Sequence, residues 1–373
     1  MHGSSQRRKM LTRRMVGFLM LTAYLHVETA PAGDTDLRPE PRLLVLEDAD
    51  SDYSTPPFDD TVRLVNSSDQ VVRTSSNYNI CETIGGCRAV SADERGEFFV
   101  VCENVAERIT QCEIATGNPV WSLEGEFTAA AISKGLTYAL TGSGTIYGDS
   151  LMVIDPSGTI LNKIKAGGFD LVVDRNRDVI WLVGRDIRKY DIDLKPLLTL
   201  SPITWCAVSA DLAQDGSLWV VESEHPDVAG SRDRLLNVSP RGAITMTIPL
   251  DITPKCVRVD RTSNRIYVTG HRISTRMRPT IKFDGYIPRI KKRRKFKHEG
   301  SRTHCYSAKG GLLYDVSRGG NSIAVDTSDG SVWIAGESKL FHYSRSGKKL
   351  DACNQVSDGQ KWIATVPDSK EPE

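Results

Sequence analysis

A unit of about forty residues recurs along this chain, and its period constrains the fold more than any other feature. Each copy begins with a short apolar strand ending in Asp. A turn leads into an apolar run that often carries Trp, then a loop, then a hairpin with Pro or Gly at its tip. The clearest copy runs through Ser322–Asp326, Asp329-Gly330, Ser331–Ala335, Leu340–Tyr343 and Ser346-Gly347 to Leu350. A second runs through Leu171–Asp174, Val179–Val183 and Ile187–Tyr190 to Pro196–Leu198. A third runs through Ala207–Asp211, Asp215-Gly216, Leu218–Val221 and Leu235–Val238 to Thr245. Weaker copies start near Arg88, Phe127 and Cys256. Each copy has four short segments rich in β-branched and aromatic residues, and helical periodicity is almost absent, which predicts an all-β chain. Four strands at this period, repeated six times, describe four-stranded β-propeller blades around a central channel.

The ends supply a further blade. Leu43–Glu47, Val62–Val65 and Val71–Thr74 read as the second, third and fourth strands of a blade without its first. Trp362–Val366 is the candidate for that missing strand. A blade built from both termini would remove the open sheet edges that invite aggregation. Seven blades over residues 42–366 are therefore favoured, with six as the alternative if the terminal strands only extend existing sheets. Trp181, Trp219 and Trp333 recur at one place in the repeat and are expected to fill the space between neighbouring blades.

Residues 1–32 read as an address. Arg7, Arg8, Lys9, Arg13 and Arg14 precede the apolar stretch Met15–Val27, and Ala30-Pro31-Ala32 supplies small residues at a cleavage site. These are the parts of a secretory signal peptide, with a short uncleaved anchor as the alternative. The expected location is secreted or periplasmic. Removing these residues takes away five basic residues and Glu28, turning the net charge of +1 into −3. A balance this even excludes a globally basic nucleic-acid binder. Mean hydropathy of −0.30 and the lack of a second long apolar run exclude a polytopic membrane protein. The mature chain is expected to be a monomer without a membrane span.

All eight cysteines follow the leader, which fits an oxidising compartment; no CxxC occurs. Disulfides are favoured over buried thiols. Two are expected: Cys81–Cys87, around the reversal that Gly85-Gly86 permits, and Cys102–Cys112, across a hairpin centred near Ala106 or Glu107.

Asp215-Gly216-Ser217-Leu218-Trp219-Val220 with Ser239-Pro240-Arg241-Gly242 resembles the NHL-repeat and streptogramin-lyase-like propellers. Asp329-Gly330-Ser331-Val332-Trp333-Ile334 with Ser344-Arg345-Ser346-Gly347 repeats that pattern. Ala115–Trp121 looks like the docking turn of quinoprotein propellers, but it occurs once where a quinone-binding chain would show it in many blades. The lyase-like resemblance implies His and Glu from mouth loops around a divalent cation. It transfers a class of loop and no individual catalytic residue, so catalytic residues, metal ligands and any cofactor stay unassigned.

In a propeller, the loops between strands two and three and those between successive blades lie on one face, at the channel mouth. That face is expected to collect Glu103, Trp205, Glu222, His225, Lys255, His271 and Arg272 as ligand-binding residues. The run Arg289–His298 holds seven Lys or Arg without an acidic interruption, in a basic insertion spanning residues 276–310. Lys291, Lys292, Arg293 and Arg294 are its candidate polyanion-binding residues, in a connection read as a solvated insertion. No nucleophile elbow, phosphate loop or zinc pattern appears. The expected function is a non-catalytic binding propeller for a protein, glycan or other polyanion. The alternative is a metal-dependent lyase or lactonase.

Overall fold

The computed structural model describes residues 41–47, 61–66, 71–76, 90–93, 95–103, 108–142, 149–200, 206–223, 233–284, 287–336, 339–353 and 361–366. Among them are seven antiparallel sheets of four strands and no helix. Blade 1 comprises Val90–Ala92, Phe98–Glu103, Arg108–Glu113 and Pro119–Glu124; blade 2 comprises Phe127–Ser133, Leu136–Thr141, Ser150–Ile154 and Ile160–Lys165. Blade 3 is built from Asp170–Asp174, Val179–Val183, Ile187–Asp191 and Pro196–Leu200, and blade 4 from Cys206–Leu212, Leu218–Ser223, Arg234–Val238 and Ile244–Pro249. Blade 5 has Thr253–Asp260, Arg265–Asp284, Ile287–Tyr306 and Leu312–Val316; blade 6 has Ser322–Val325, Val332–Ala335, Leu340–Tyr343 and Lys349–Cys353. Blade 7 joins the C-terminal strand Lys361–Thr365 to Pro41–Glu47, Thr61–Asn66 and Val71–Ser76. The first strand of every blade touches the first strand of the next, and blade 7 closes the ring onto blade 1. The fold is a seven-bladed β-propeller closed by both ends of the chain.

The recurrent Asp has a local cause. At the end of an inner strand its carboxylate accepts backbone N–H groups of the turn that follows, as Asp174 does from Asn176 (3.1 Å) and Asp326 from Ser328 (2.9 Å). Asp260 accepts from Thr262 in the same way, so this Asx geometry starts the second strand in three blades, while Asp93 reaches further and accepts from Glu97 and Phe98. Blade 4 departs from this pattern. Its inner strand runs on past Asp211, Asp215 makes the turn by accepting from Ser217 N–H, and Asp211 instead accepts from Val259 N–H of blade 5 at 2.8 Å.

The core lies between blades. Trp181 packs with Ala207, Leu218 and Leu236 across blades 3 and 4. Trp219 packs with Val257, Ile266 and Tyr306 across blades 4 and 5, and Trp333 with Leu43, Val45 and Ile363 across blades 6 and 7. Trp333 also stacks on His342, with ring centroids 3.9 Å apart and planes 9° from parallel. These three Trp residues are core, as the repeat implies. Inner strands leave backbone groups without a ladder partner, and side chains of the preceding inner strand take them up. Ala210 N–H donates to Asp170 (3.2 Å), Val257 N–H to Ser209 (3.4 Å) and Ile363 N–H to Ser322 (3.3 Å).

The hairpin register corrects one expected disulfide. In blade 1, Cys102 stands opposite Ile109 and Cys112 opposite Phe99. The pairing is thus offset by three residues from the one the disulfide requires. An odd offset along a strand places the two cysteines on opposite faces. Both thiols are buried, and no disulfide joins them. Cys81 and Cys87 lie outside the described residues.

Candidate binding surface at the channel mouth

Blade 5 carries the feature that sets this propeller apart. Its second and third strands each run for twenty residues, while the other strands described have three to eight. The inner strand pairs only with Arg265–His271 and the outer strand only with Thr303–Tyr306. From Ile273↔His298 to Asp284↔Ile287, the two long strands pair with each other alone. The run read from sequence as a solvated connection is therefore a two-stranded ribbon that continues the blade at the mouth. At about 3.3 Å per residue it reaches roughly 40 Å beyond His271.

A bulge marks where the ribbon leaves the sheet. His271 pairs with Ser301 and Ile273 with His298, so Arg272 faces two residues, Glu299 and Gly300. Gly300 sits at φ +101°, in the left-handed region that glycine adopts without a steric penalty. Such an extra residue bends the strand and increases its twist, which re-aims everything beyond it.

The register also sorts the basic residues. Arg276 stands opposite Lys295, Arg278 opposite Arg293 and Lys282 opposite Arg289, with Thr280 opposite Lys291 and Ser274 opposite Lys297. Strand alternation puts these ten positions on one face of the ribbon, and eight of them are Lys or Arg. The four residues Lys291–Arg294 do not act as one patch. Lys291 and Arg293 belong to the cationic face, and Lys292 and Arg294 fall on the other. Like charges directly opposite on neighbouring strands are destabilising. An anionic partner would relieve that repulsion.

At the ribbon's root, His271 is half-buried with Nδ1 3.0 Å from Ser301 Oγ. Arg272 Nε is 4.0 Å from Asp251 and 3.9 Å from Glu299. Lys255 is exposed on the inner strand of the same blade. Blade 5 thus brings Lys255, His271 and Arg272 to one end of its sheet. Glu222 has a different role. Its side chain is fully buried, and its Oε2 accepts from both Nε (2.8 Å) and the terminal nitrogen of Arg234 on the adjacent strand. Burial pushes the Glu222 carboxyl up, and Arg234 only partly offsets it. Glu103 ends the second strand of blade 1 opposite Arg108. Trp205 and His225 lie outside the described residues.

Several groups have no signature in the sequence. His304 is buried, with Nδ1 3.1 Å from Tyr306 hydroxyl and Nε2 3.5 Å from Asp251; burial holds it below the usual imidazole range. Arg258 stands among Cys256, Asp211 and Asp170, charged or polar groups from the inner strands of blades 5, 4 and 3. Burial raises the Asp170 carboxyl, and the Arg258 charge opposes that rise. A cleft of about 350 Å³ between blades 4 and 5 is lined by Asp215, Ser217, Trp219, Asn237 and Asn264. Asp215, Ser217 and Asn264 come from turns between first and second strands, so the cleft opens on the face opposite the ribbon.

No protein-family model and no curated protein matches the sequence. Solved structures do match in fold. A functionally unknown protein from Desulfotomaculum acetoxidans aligns with a TM-score of 0.59 at 11% identity, over 88% of this chain and 100% of that one. Kuenenia stuttgartiensis hydrazine synthase aligns at 0.60 and 11% identity, over 79% and 93%. The WD40 propeller domain of Doa1 aligns at 0.54 and 14% identity, over 79% and 86%. Identities this low establish the propeller and nothing finer.

Proposed function

We propose that this chain is an exported, non-enzymatic binding propeller that engages a polyanionic partner through the blade 5 ribbon at its channel mouth. The observation that carries this reading is the register, which gathers eight Lys or Arg on one face of a ribbon that pairs only with itself. A chain close to neutral overall concentrates its positive charge there, which makes the attraction local and sensitive to salt. The leader-like residues 1–32 support export, and the NHL-type blade pattern is compatible with a scaffold that presents loops to a partner. The lyase alternative gains no comparable support. The Glu222 carboxylate, a candidate ligand in that reading, is engaged by Arg234.

Replacing Arg278, Lys282, Arg289, Lys291 and Arg293 together by Ser is expected to shift elution from immobilised heparin to markedly lower salt while the melting temperature holds. Unchanged elution would refute the reading.

A further inference from the structure

The face of the ribbon opposite the cations is of another character. The register places Ile273, Met277, Pro279, Ile281 and Phe283 there, across from His298, Arg294, Lys292, Ile290 and Pro288, with Thr275 across from Phe296. Ile281, Phe283, Pro288 and Ile290 are contiguous and occupy the end of the ribbon farthest from the blade. One face carries eight cations in twelve paired positions, with Asp284 and Ile287 at its tip, and the other carries an apolar block at its distal end. That division is what an element lying at a membrane interface requires, because apolar side chains gain by entering the acyl boundary while Lys and Arg meet anionic headgroups. A soluble acidic glycan would satisfy the cations and leave the apolar block without a partner. A two-stranded ribbon without a third strand is also marginal in water by itself, so a surface that covers one face and neutralises the other would complete it.

Resting on the polyanion reading above, we propose that the ribbon is a membrane-surface anchor: residues 273–298 lie on an anionic phospholipid bilayer, with the Ile281, Phe283, Pro288 and Ile290 block inserted and the cationic face held by lipid phosphates. The propeller is thereby docked by its mouth face without any segment crossing the bilayer.

Full-length mature protein would be sedimented with vesicles of pure phosphatidylglycerol or pure phosphatidylcholine. Binding to the first and not the second is expected. Replacing Ile281, Phe283 and Ile290 together by Ser should weaken vesicle binding by at least about tenfold while leaving heparin elution and melting temperature unchanged. The five-residue cationic variant should lose both vesicle and heparin binding. If the apolar variant binds vesicles as the parent does, or the parent binds heparin but no vesicle, the anchor is overturned and the polyanion reading stands. If the parent binds neither, both are overturned.

Discussion

Ending the chain after Gln360 is expected to abolish the folded propeller. This truncation removes Lys361–Thr365, the inner strand of blade 7, and with it five residue pairings to Leu43–Glu47. Ile363 and Val366 are buried in the intact chain, and Leu43, Val45 and Trp333 pack against the same region. Each large apolar side chain left exposed costs roughly 1.5–3 kcal/mol, so losing two and uncovering others removes about as much as a typical domain's whole stability. The strand Pro41–Glu47 also becomes an open edge, which favours association. Circular dichroism should show loss of the cooperative transition, and a synthetic peptide spanning residues 358–373 should restore it in part. A truncated chain that melts as a monomer at the parental temperature would show that the ring does not depend on this closure.

Arg234→Ala is expected to cost about 3–5 kcal/mol at neutral pH, because it strands a carboxylate in the core. Glu222 has no exposed side-chain surface, whereas Arg234 is 29% exposed, so Arg234 is the route by which that charge is tolerated. Burial already raises the Glu222 carboxyl, and removing the guanidinium raises it further. The sign follows from that direction. Below the ordinary Glu range the group is protonated in both folded and unfolded chains and costs nothing. As pH climbs through that range the unfolded chain ionises first, and stability falls until the raised folded value is passed. The deficit of the variant should therefore grow from acid to neutral pH. Glu222→Gln in the Arg234→Ala background should recover much of the loss. A pH-independent deficit would mean that Arg234 acts by packing alone.

The blade repeat was legible because each strand needs apolar alternation and each turn needs Asp, Gly or Pro. Trp181, Trp219 and Trp333 mark inter-blade packing for the same reason. Even the composite blade could be read, since three strands at one end and one at the other complete a four-stranded sheet. What stayed hidden depends on register and on contacts between distant residues. A shift in the hairpin centre of blade 1 separates Cys102 from Cys112. Glu222 and Arg234 are twelve residues apart, and only the pairing of their strands shows a closed ion pair rather than a mouth ligand. The basic run looked like a loop because charge density outweighed the alternation of Ile290 and Phe296 within it. Pairing with Ser274–Lys282 reveals the ribbon and divides Lys291 and Arg293 from Lys292 and Arg294.

His271 and Ser301 stand directly opposite each other at the ribbon's root, so a two-residue Asn-Gly turn between them can replace residues 272–300 and close blade 5 as an ordinary hairpin. Salt-gradient elution from heparin, measured on this shortened protein and its parent, isolates the ribbon from the rest of the propeller. The shortened protein should keep the parental melting temperature and elute at the lowest salt, with no remaining salt-dependent retention. Retention equal to the parent's would place the binding surface elsewhere on the propeller and contradict the account.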